Sequence, residues 1–478
     1  WRFALPIPLF GRSDAMKQVI YALFPVCSLL FSAASLADAT QTLIQRGEYL
    51  AIAGDCSACH HNPENGKPFS GGFGIQSPMG MIYGSNITPS KTAGIGQYSL
   101  ADFTRVMREG KAPGNHYLYP AMPYTAFAGM SDDDIRALYT YLMNGVAADD
   151  HPATKTDLPF PFSFRPVMAM WNLMFLDQSA VKGSDAAAGS VDRGEYLVRT
   201  LAHCSTCHTP RNGMMAEQGE HFLAGGKVGR WTAPNITPDG EAGIGSWSEA
   251  EIVTYLRTGV LHGKAVAGGE MGTAIEKSFS RLQSSDLYAM ARYLKQLPAT
   301  GGINRQPLKP PAATPVSAIE TGMRDSIEDY VSSQQMSGAQ LYNGACASCH
   351  ASDGRGTRDD QHAYPSLVGL SSVASDDPAN LIMIIAEGIN RDMPAGHAFM
   401  PAFEHQFTQQ ELAKVANYVS VTFGNPQHVI TLQQVEETLH GESGSWIVRH
   451  AAGLAWIGVA GIVLVLLWAF FPLRRRRA

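Results

Sequence analysis

Cys204-Ser205-Thr206-Cys207-His208 is the stretch on which the reading turns. It occurs in two further versions, Cys56-Ser57-Ala58-Cys59-His60 and Cys346-Ala347-Ser348-Cys349-His350. Cysteines three apart lie on one face of a helical turn, so both thiols can reach the two vinyl groups along one porphyrin edge. The histidine that follows then offers its imidazole to the iron from the proximal side. This is the pattern of covalent c-type haem attachment. A single Cys-x-x-Cys would leave a redox disulfide, half of a zinc site or two core cysteines open. Three copies, each with its histidine and with no other cysteine expected in the mature chain, select haem. The residues predict three covalently bound haem c groups in a protein that moves electrons.

The ends of the chain carry apolar segments. Met16-Lys17 opens a run from Val19 to Leu36 with small residues at Ala37 and Ala39, which reads as a secretory signal peptide over 16–39. The seventh cysteine, Cys27, lies inside it. Residues Trp1 to Ala15 precede the first methionine and are set aside from fold reasoning. At the other end, Ala451 to Leu473 contains no charge and is followed by Arg474 to Arg477. About 20 apolar residues cross a bilayer, so 451–473 is expected to be a transmembrane anchor. Trp446, Trp456 and Trp468 would lie near its interfaces, with the short basic tail in the cytoplasm and the body on the periplasmic face of the bacterial inner membrane. A net charge of −6, with no basic stripe outside the tail, argues against nucleic acid as a partner.

Two units are visibly related. Arg46-Gly47-Glu48-Tyr49-Leu50 and Arg193-Gly194-Glu195-Tyr196-Leu197 precede the first and second motifs. Asn86-Ile87-Thr88-Pro89 is repeated as Asn235-Ile236-Thr237-Pro238, and Gly94-Ile95-Gly96 as Gly243-Ile244-Gly245. Internal duplication is the simplest cause. Helical patterns follow at Leu100 to Arg108 and Glu249 to Arg257, each ending at a glycine, Gly110 or Gly259. Amphipathic closing helices are expected at Asp133 to Asn144, Ser284 to Leu297 and Glu411 to Val421. The third unit has a leading helix near Ala339 to Asn343 but lacks the Asn-Ile-Thr-Pro segment. The expected fold is all-α: three cytochrome c domains in series, at 40–165, 166–305 and 331–430, with a proline-rich linker at 306–330 and the C-terminal transmembrane helix.

A haem iron of this type takes a methionine opposite its histidine, because the soft thioether favours reduced iron. Tyr119-Pro120-Ala121-Met122-Pro123-Tyr124 offers Met122 in a proline-stiffened loop, and Phe399-Met400-Pro401-Ala402-Phe403 offers Met400. Met393 is a near rival to Met400. The second unit has no Met-Pro pair, and Met271 occupies the corresponding place. A bis-histidine site would use His116, His262 or His397 instead; the bland alternative for any methionine is core filler, and for these histidines, as for His61, a surface role. Arg211 could pair with a haem propionate or face solvent. Tyr83 and Trp231, each shortly before an Asn-Ile-Thr-Pro segment, could pack on a haem edge or in ordinary core.

Taken together, the three haem motifs, the Arg-Gly-Glu-Tyr-Leu leaders, the paired Asn-Ile-Thr-Pro and Gly-Ile-Gly segments and the Met-Pro loops resemble the triheme cytochrome c subunits of bacterial membrane-bound dehydrogenases. The resemblance covers nearly all of the mature chain. It implies haem attachment at Cys56, Cys59, Cys204, Cys207, Cys346 and Cys349, with iron ligands His60/Met122, His208/Met271 and His350/Met400. It further implies a flavoprotein catalytic partner of the glucose–methanol–choline type that oxidises a sugar, sugar acid or alcohol, a small accessory subunit, and ubiquinone as acceptor. A cytochrome subunit of a pyrroloquinoline quinone alcohol dehydrogenase or of a molybdenum aldehyde dehydrogenase is the alternative. Further rivals are a c-type subunit feeding a terminal oxidase and an enzyme with an open iron position. No Gly-x-Gly-x-x-Gly fingerprint or substrate-oxidising constellation is visible.

Overall fold

The computed structural model describes residues 39–475 apart from 65, 178–185, 302–332, 358–363, 395 and 442–444, with side chains through residue 467. Residues 16–38 of the signal peptide expected over 16–39, with Cys27, the expected linker 306–330, Trp468 and the residues beyond 475 lie outside the described residues or side chains.

One helical arrangement occurs three times. In the first unit a leading helix over residues 39–53 runs into the short helix Cys56–His60, followed by Leu100–Glu109 and the closing helix Asp132–Asn144. The second unit repeats this with Val191–Tyr196, Ser205–His208, Glu249–Thr258 and Ser284–Gln296. The third uses Gly338–Ala345, Ala347–His350, Ala379–Glu387 and Gln409–Val419. Local chemistry sets the ends. Ser99 accepts from the Asp102 amide while Asp102 accepts from the Ser99 amide, a reciprocal cap repeated by Ser248/Glu251 and Thr408/Glu411. Gly259 stops its helix in the left-handed region, at φ 70°.

Leading and closing helices touch backbone to backbone. A Cβ on Gly47 would lie 2.1 Å from the Ala137 carbonyl oxygen, one on Gly194 2.0 Å from that of Ala289, and one on Gly338 2.3 Å from that of Lys414. Only glycine permits this crossing, and each unit has one at it. Buried residues of the first two units, among them Leu50, Leu138, Leu197 and Leu287, form one continuous hydrophobic cluster. Those of the third, including Tyr342, Ile382, Val415 and Phe423, form another.

The sister units are tied by an exchange of hydrogen bonds. Arg46 Nε donates to Asp134 within the first unit, at 2.9 Å, and Arg193 Nε to Asp286 within the second, at 3.1 Å. The tyrosine of each Arg-Gly-Glu-Tyr leader crosses over: Tyr49 Oη donates to Asp286 at 2.7 Å and Tyr196 Oη to Asp134 at 2.6 Å. The third unit docks on the second through Asn380, which exchanges bonds with the Thr232 amide (2.9 Å) and carbonyl (2.8 Å). Lys227 pairs with Asp377, and Arg230 with Glu387, at the same junction.

Two sequence expectations are corrected. The fold is not all-α: the described residues contain five two-stranded antiparallel hairpins. These take up the Gly- and Pro-rich stretches between helices, as at Gly226–Val228 with Trp231–Ala233, where Gly229 at φ 57° opens the two-residue turn. The second correction concerns the C-terminal anchor. A helix spans Ala451–Arg475 at this end of the chain. Among the described residues no helix is long and apolar enough to cross a membrane. That finding overturns the transmembrane helix and with it the anchored location on the periplasmic face of an inner membrane. What is seen at this end is contact with the body. Ser445 Oγ donates to the Gly213 carbonyl at 2.9 Å, and the Trp456 and Phe160 rings lie 5.5 Å apart.

Candidate haem sites

Each Cys-x-x-Cys-His motif folds into a turn of helix, which carries the two thiols on one side. His208 N–H donates to the Cys204 carbonyl and His350 N–H to that of Cys346, both at 2.9 Å. The six described cysteines form no disulfide. Burial pushes the thiols of Cys56 and Cys204 up to about 12 and those of Cys207 and Cys346 to about 11. Cys59 moves the same way, chiefly through burial, with the carboxylates of Asp55 and Glu270 and the Cys207 thiol adding to it. Such groups stay protonated, unlike the exposed low-pKa thiolates of redox or disulfide-exchange sites.

The histidines are held alike in all three motifs. His60 Nδ1 lies 2.6 Å from the Ser85 carbonyl oxygen, His208 Nδ1 2.7 Å from that of Pro234, and His350 Nδ1 3.0 Å from that of Pro365. A carbonyl can only accept, so Nδ1 carries the proton and the Nε2 lone pair is directed to the other side of the ring. Burial lowers each imidazole's pKa and the carbonyl partly restores it. A neutral ring with a fixed tautomer is what an iron ligand requires. The histidine carbonyls are pinned as well, by the amides of Gly71 (2.7 Å), Gly225 (2.7 Å) and Gly356 (2.9 Å).

This arrangement explains the duplicated segments. Ser85 and Pro234 stand immediately before Asn86-Ile87-Thr88-Pro89 and Asn235-Ile236-Thr237-Pro238. Asn86 Oδ1 accepts from the Thr88 amide and hydroxyl at 2.9 and 2.7 Å, and Asn235 Oδ1 from those of Thr237 at 2.8 and 2.7 Å. Asn86 Nδ2 donates to the Asp149 carbonyl and Asn235 Nδ2 to that of Thr300, which fastens each turn to the end of its unit. The Asn-Ile-Thr-Pro turn is thus a rigid bracket that aims a carbonyl at the proximal histidine. Ser85, Pro234 and Pro365 were missed by sequence reasoning, although the two repeats point at the first two. In the third unit Tyr364-Pro365-Ser366-Leu367 does the work, and nothing in its sequence announces it.

The candidate methionines are all partly buried. Met122 sits in the turn Tyr119–Pro123, its amide donating to the Tyr119 carbonyl at 3.2 Å, and packs on the cluster shared by the sister units, as do Cys56 and Cys204. Met271 lies not in a loop but in the first turn of the helix Gly269–Lys277, and packs on that same cluster. The Trp231 ring lies against Gly268 and Gly269, where a Cβ would meet it at 2.9 and 2.4 Å, so this tryptophan braces the start of the Met271 helix. Met400 ends the strand Gly396–Met400 and packs, with Cys346, on the third unit's cluster. Its rival Met393 packs instead on the sister-unit cluster.

The other candidates fall away from the motifs. His116, His262 and His397 are exposed, and His397 Nδ1 pairs with Asp392 at 2.8 Å. His61 packs against Phe73, with ring centres 4.8 Å apart and planes tilted by 37°. Arg211 uses Nη1 and Nη2 on the Met215 and Thr206 carbonyls, at 2.7 and 2.8 Å. Tyr83 closes the strand Gly80–Tyr83, its amide donating to Thr156 Oγ1 at 2.9 Å. The first two sites are neighbours, because the Met271 helix Gly269–Lys277 contacts the first unit's Cys56–His60 helix. Among the described residues no three His, Cys, Asp or Glu side chains converge as a metal site of their own.

Known proteins agree with this geometry. A family profile described as cytochrome c matches residues 44–145, and one described as cytochrome c oxidase, cbb3-type, subunit III matches residues 333–419. The chain is 38% identical over 456 residues to the fructose dehydrogenase cytochrome subunit of Gluconobacter japonicus, covering 92% of this chain and 93% of that one. It is 38% identical over 426 residues to the cytochrome c subunit of the quinone alcohol dehydrogenase of Gluconobacter oxydans, covering 86% and 85%. Identity to the gluconate 2-dehydrogenase cytochrome c subunit of Pantoea cypripedii is 36% over 435 residues, covering 87% and 95%. Three histidines each fixed for ligation beside paired thiols, in a chain similar to these relatives along most of its length, mean that it belongs to the family of dehydrogenase cytochrome c subunits.

Proposed function

We propose that the chain binds three haem c groups and carries electrons from a flavoprotein dehydrogenase of the glucose–methanol–choline type, assembled with a small accessory subunit, to ubiquinone. The observation that carries this reading is the thrice-repeated pairing of a Cys-x-x-Cys-His turn with a backbone carbonyl that fixes the histidine tautomer. In it, Cys56 and Cys59, Cys204 and Cys207, and Cys346 and Cys349 form the thioethers. His60, His208 and His350 bind the irons on one side, and Met122, Met271 and Met400 on the other. The units follow the division 40–165, 166–305 and 331–430.

The bound haem supplies the one-electron iron couple. The residues of the chain do the rest. The carbonyl–imidazole pairs raise ligand basicity and hold the rings, the methionine sulfurs favour reduced iron, and the buried clusters exclude water around each site. The contact between the Met271 helix and the Cys56–His60 helix supports direct passage between the first two units. The Asn380–Thr232 junction keeps the third close to the second.

The assembly is tested by purifying the tagged chain under native conditions and identifying the cofactor of whatever co-elutes. Flavin in the partner, with sugar, sugar acid or alcohol reducing the haems in the complex, is the expected result. A pyrroloquinoline quinone in the partner would favour the second reading. That reading rests on the equal 38% identity to the alcohol dehydrogenase subunit, although the fructose dehydrogenase subunit is matched over more of its length.

A further inference from the structure

Trp231 stands where the second and third units meet. It opens the strand Trp231–Ala233, and the residue after it, Thr232, makes the paired bonds to Asn380. Its indole N–H faces the carboxylate of Glu387, which ends the third-unit helix Ala379–Glu387 and is also paired with Arg230. The indole ring packs on Gly268 and Gly269. A Cβ on Gly268 would lie 2.9 Å from Trp231 Cζ3 and 3.1 Å from Cγ1 of Ile384, a residue of that same third-unit helix. One on Gly269 would lie 2.4 Å from Trp231 Cε2, and Gly269 stands at φ 49°, where a side chain is disfavoured. The two glycines are thus held between an indole of the second unit and an isoleucine of the third.

They also begin the helix Gly269–Lys277, two residues before Met271. Gly268 gives that helix no side-chain cap, unlike Ser99, Ser248 and Thr408 at theirs. Nor has Met271 the proline that follows Met122 and Met400, whose ring fixes the backbone beside the sulfur. With neither cap nor proline, the turn that carries Met271 takes its place from what packs on Gly268 and Gly269.

We infer that Trp231, clamped by the third unit, is a positioning residue for the second haem iron: it sets the Met271 turn as proline does beside Met122 and Met400. Ligation in the second unit then depends on docking of the third. The inference rests on the ligand set proposed above. Loosening the indole weakens the hold of the soft thioether on the iron, and with it the preference for the reduced state.

The test uses the full-length holoprotein and reads the midpoint potentials and the long-wavelength absorption of methionine-ligated ferric haem. Met271→Ala comes first: it should remove about a third of that absorption and show which potential belongs to the second site. Trp231→Ala is expected to remove part of the same third and to lower the same potential. Trp231→Phe, which keeps a ring against the glycines, should restore most of the loss. Ile384→Ala, a neutral change made in the third unit, should lower that potential by less. In a Met271→Ala background Trp231→Ala should add nothing, because no thioether is left to position. If Met271→Ala alters neither readout, the ligand assignment falls and this inference with it. If Met271→Ala alters both and Trp231→Ala neither, the inference alone is overturned, even where thermal stability drops, because a purely structural tryptophan behaves that way. Should Trp231→Ala not accumulate, Trp231→Leu is read in its place.

Discussion

Asp286→Ala is expected to destabilise the folded chain by about 3–5 kcal/mol, the cost of removing one partner from a buried ion pair. Asp286 is 3% exposed and accepts from three donors: Nε and Nη2 of Arg193, at 3.1 and 2.8 Å, and Tyr49 Oη at 2.7 Å. Its loss strands a guanidinium that is mostly buried and a phenol that arrives from the other sister unit. The mirror change, Asp134→Ala, strands Tyr196 Oη, but Arg46 is about half exposed and can turn to water, so a smaller loss of about 1–3 kcal/mol is expected. Thermal or denaturant unfolding of the holoprotein measures both. Equal losses in the two variants would contradict the difference drawn from the exposure of Arg46 and Arg193, and an Asp286→Ala loss below about 1 kcal/mol would mean that the exchange of tyrosines is not what joins the units.

Met122→Ala is expected to leave haem attachment intact and to change one site strongly. In the proposed site attachment rests on Cys56, Cys59 and His60, which the substitution leaves in place. Loss of the thioether removes a soft ligand that favours reduced iron. One of three midpoint potentials should therefore fall by something on the order of 0.1 V, within the roughly 0.8 V that axial ligation spans. The long-wavelength absorption of methionine-ligated ferric haem should decrease by about a third, in proportion to one site of three. Full absorption and three unchanged potentials would remove Met122 from the ligand set.

Much of the molecule was legible because its determinants are local. The haem motifs, the Arg-Gly-Glu-Tyr leaders and the closing helices are contiguous patterns. The closing helices expected at Asp133 to Asn144 and Ser284 to Leu297 appear at Asp132–Asn144 and Ser284–Gln296. Legibility ended where contacts join distant residues. The leaders could be matched to each other, but not to their partners: Tyr49 meets Asp286 across 237 positions. That the first two units share one hydrophobic cluster follows from those crossings and has no sequence pattern of its own. Asn-Ile-Thr-Pro was visible as a repeat, yet its purpose, to aim Ser85 and Pro234 carbonyls at histidines, emerges only from the fold. The hairpins escaped because their strands are two to five residues long, too short for an alternating pattern to register. The terminal apolar run was read from its length, its place in the chain and its tryptophans and arginines, and these do not tell a crossing helix from one whose base and flank touch the body, as Ser445 and Trp456 do.

The most direct measurement is the amount of haem c bound per polypeptide, by alkaline pyridine haemochrome spectroscopy on purified holoprotein set against its protein concentration. Three haems per chain are expected, falling to two when both cysteines of any one motif are replaced by alanine. A value of two in the unmodified chain, or no decrease on replacing Cys346 and Cys349, would contradict a three-haem electron carrier.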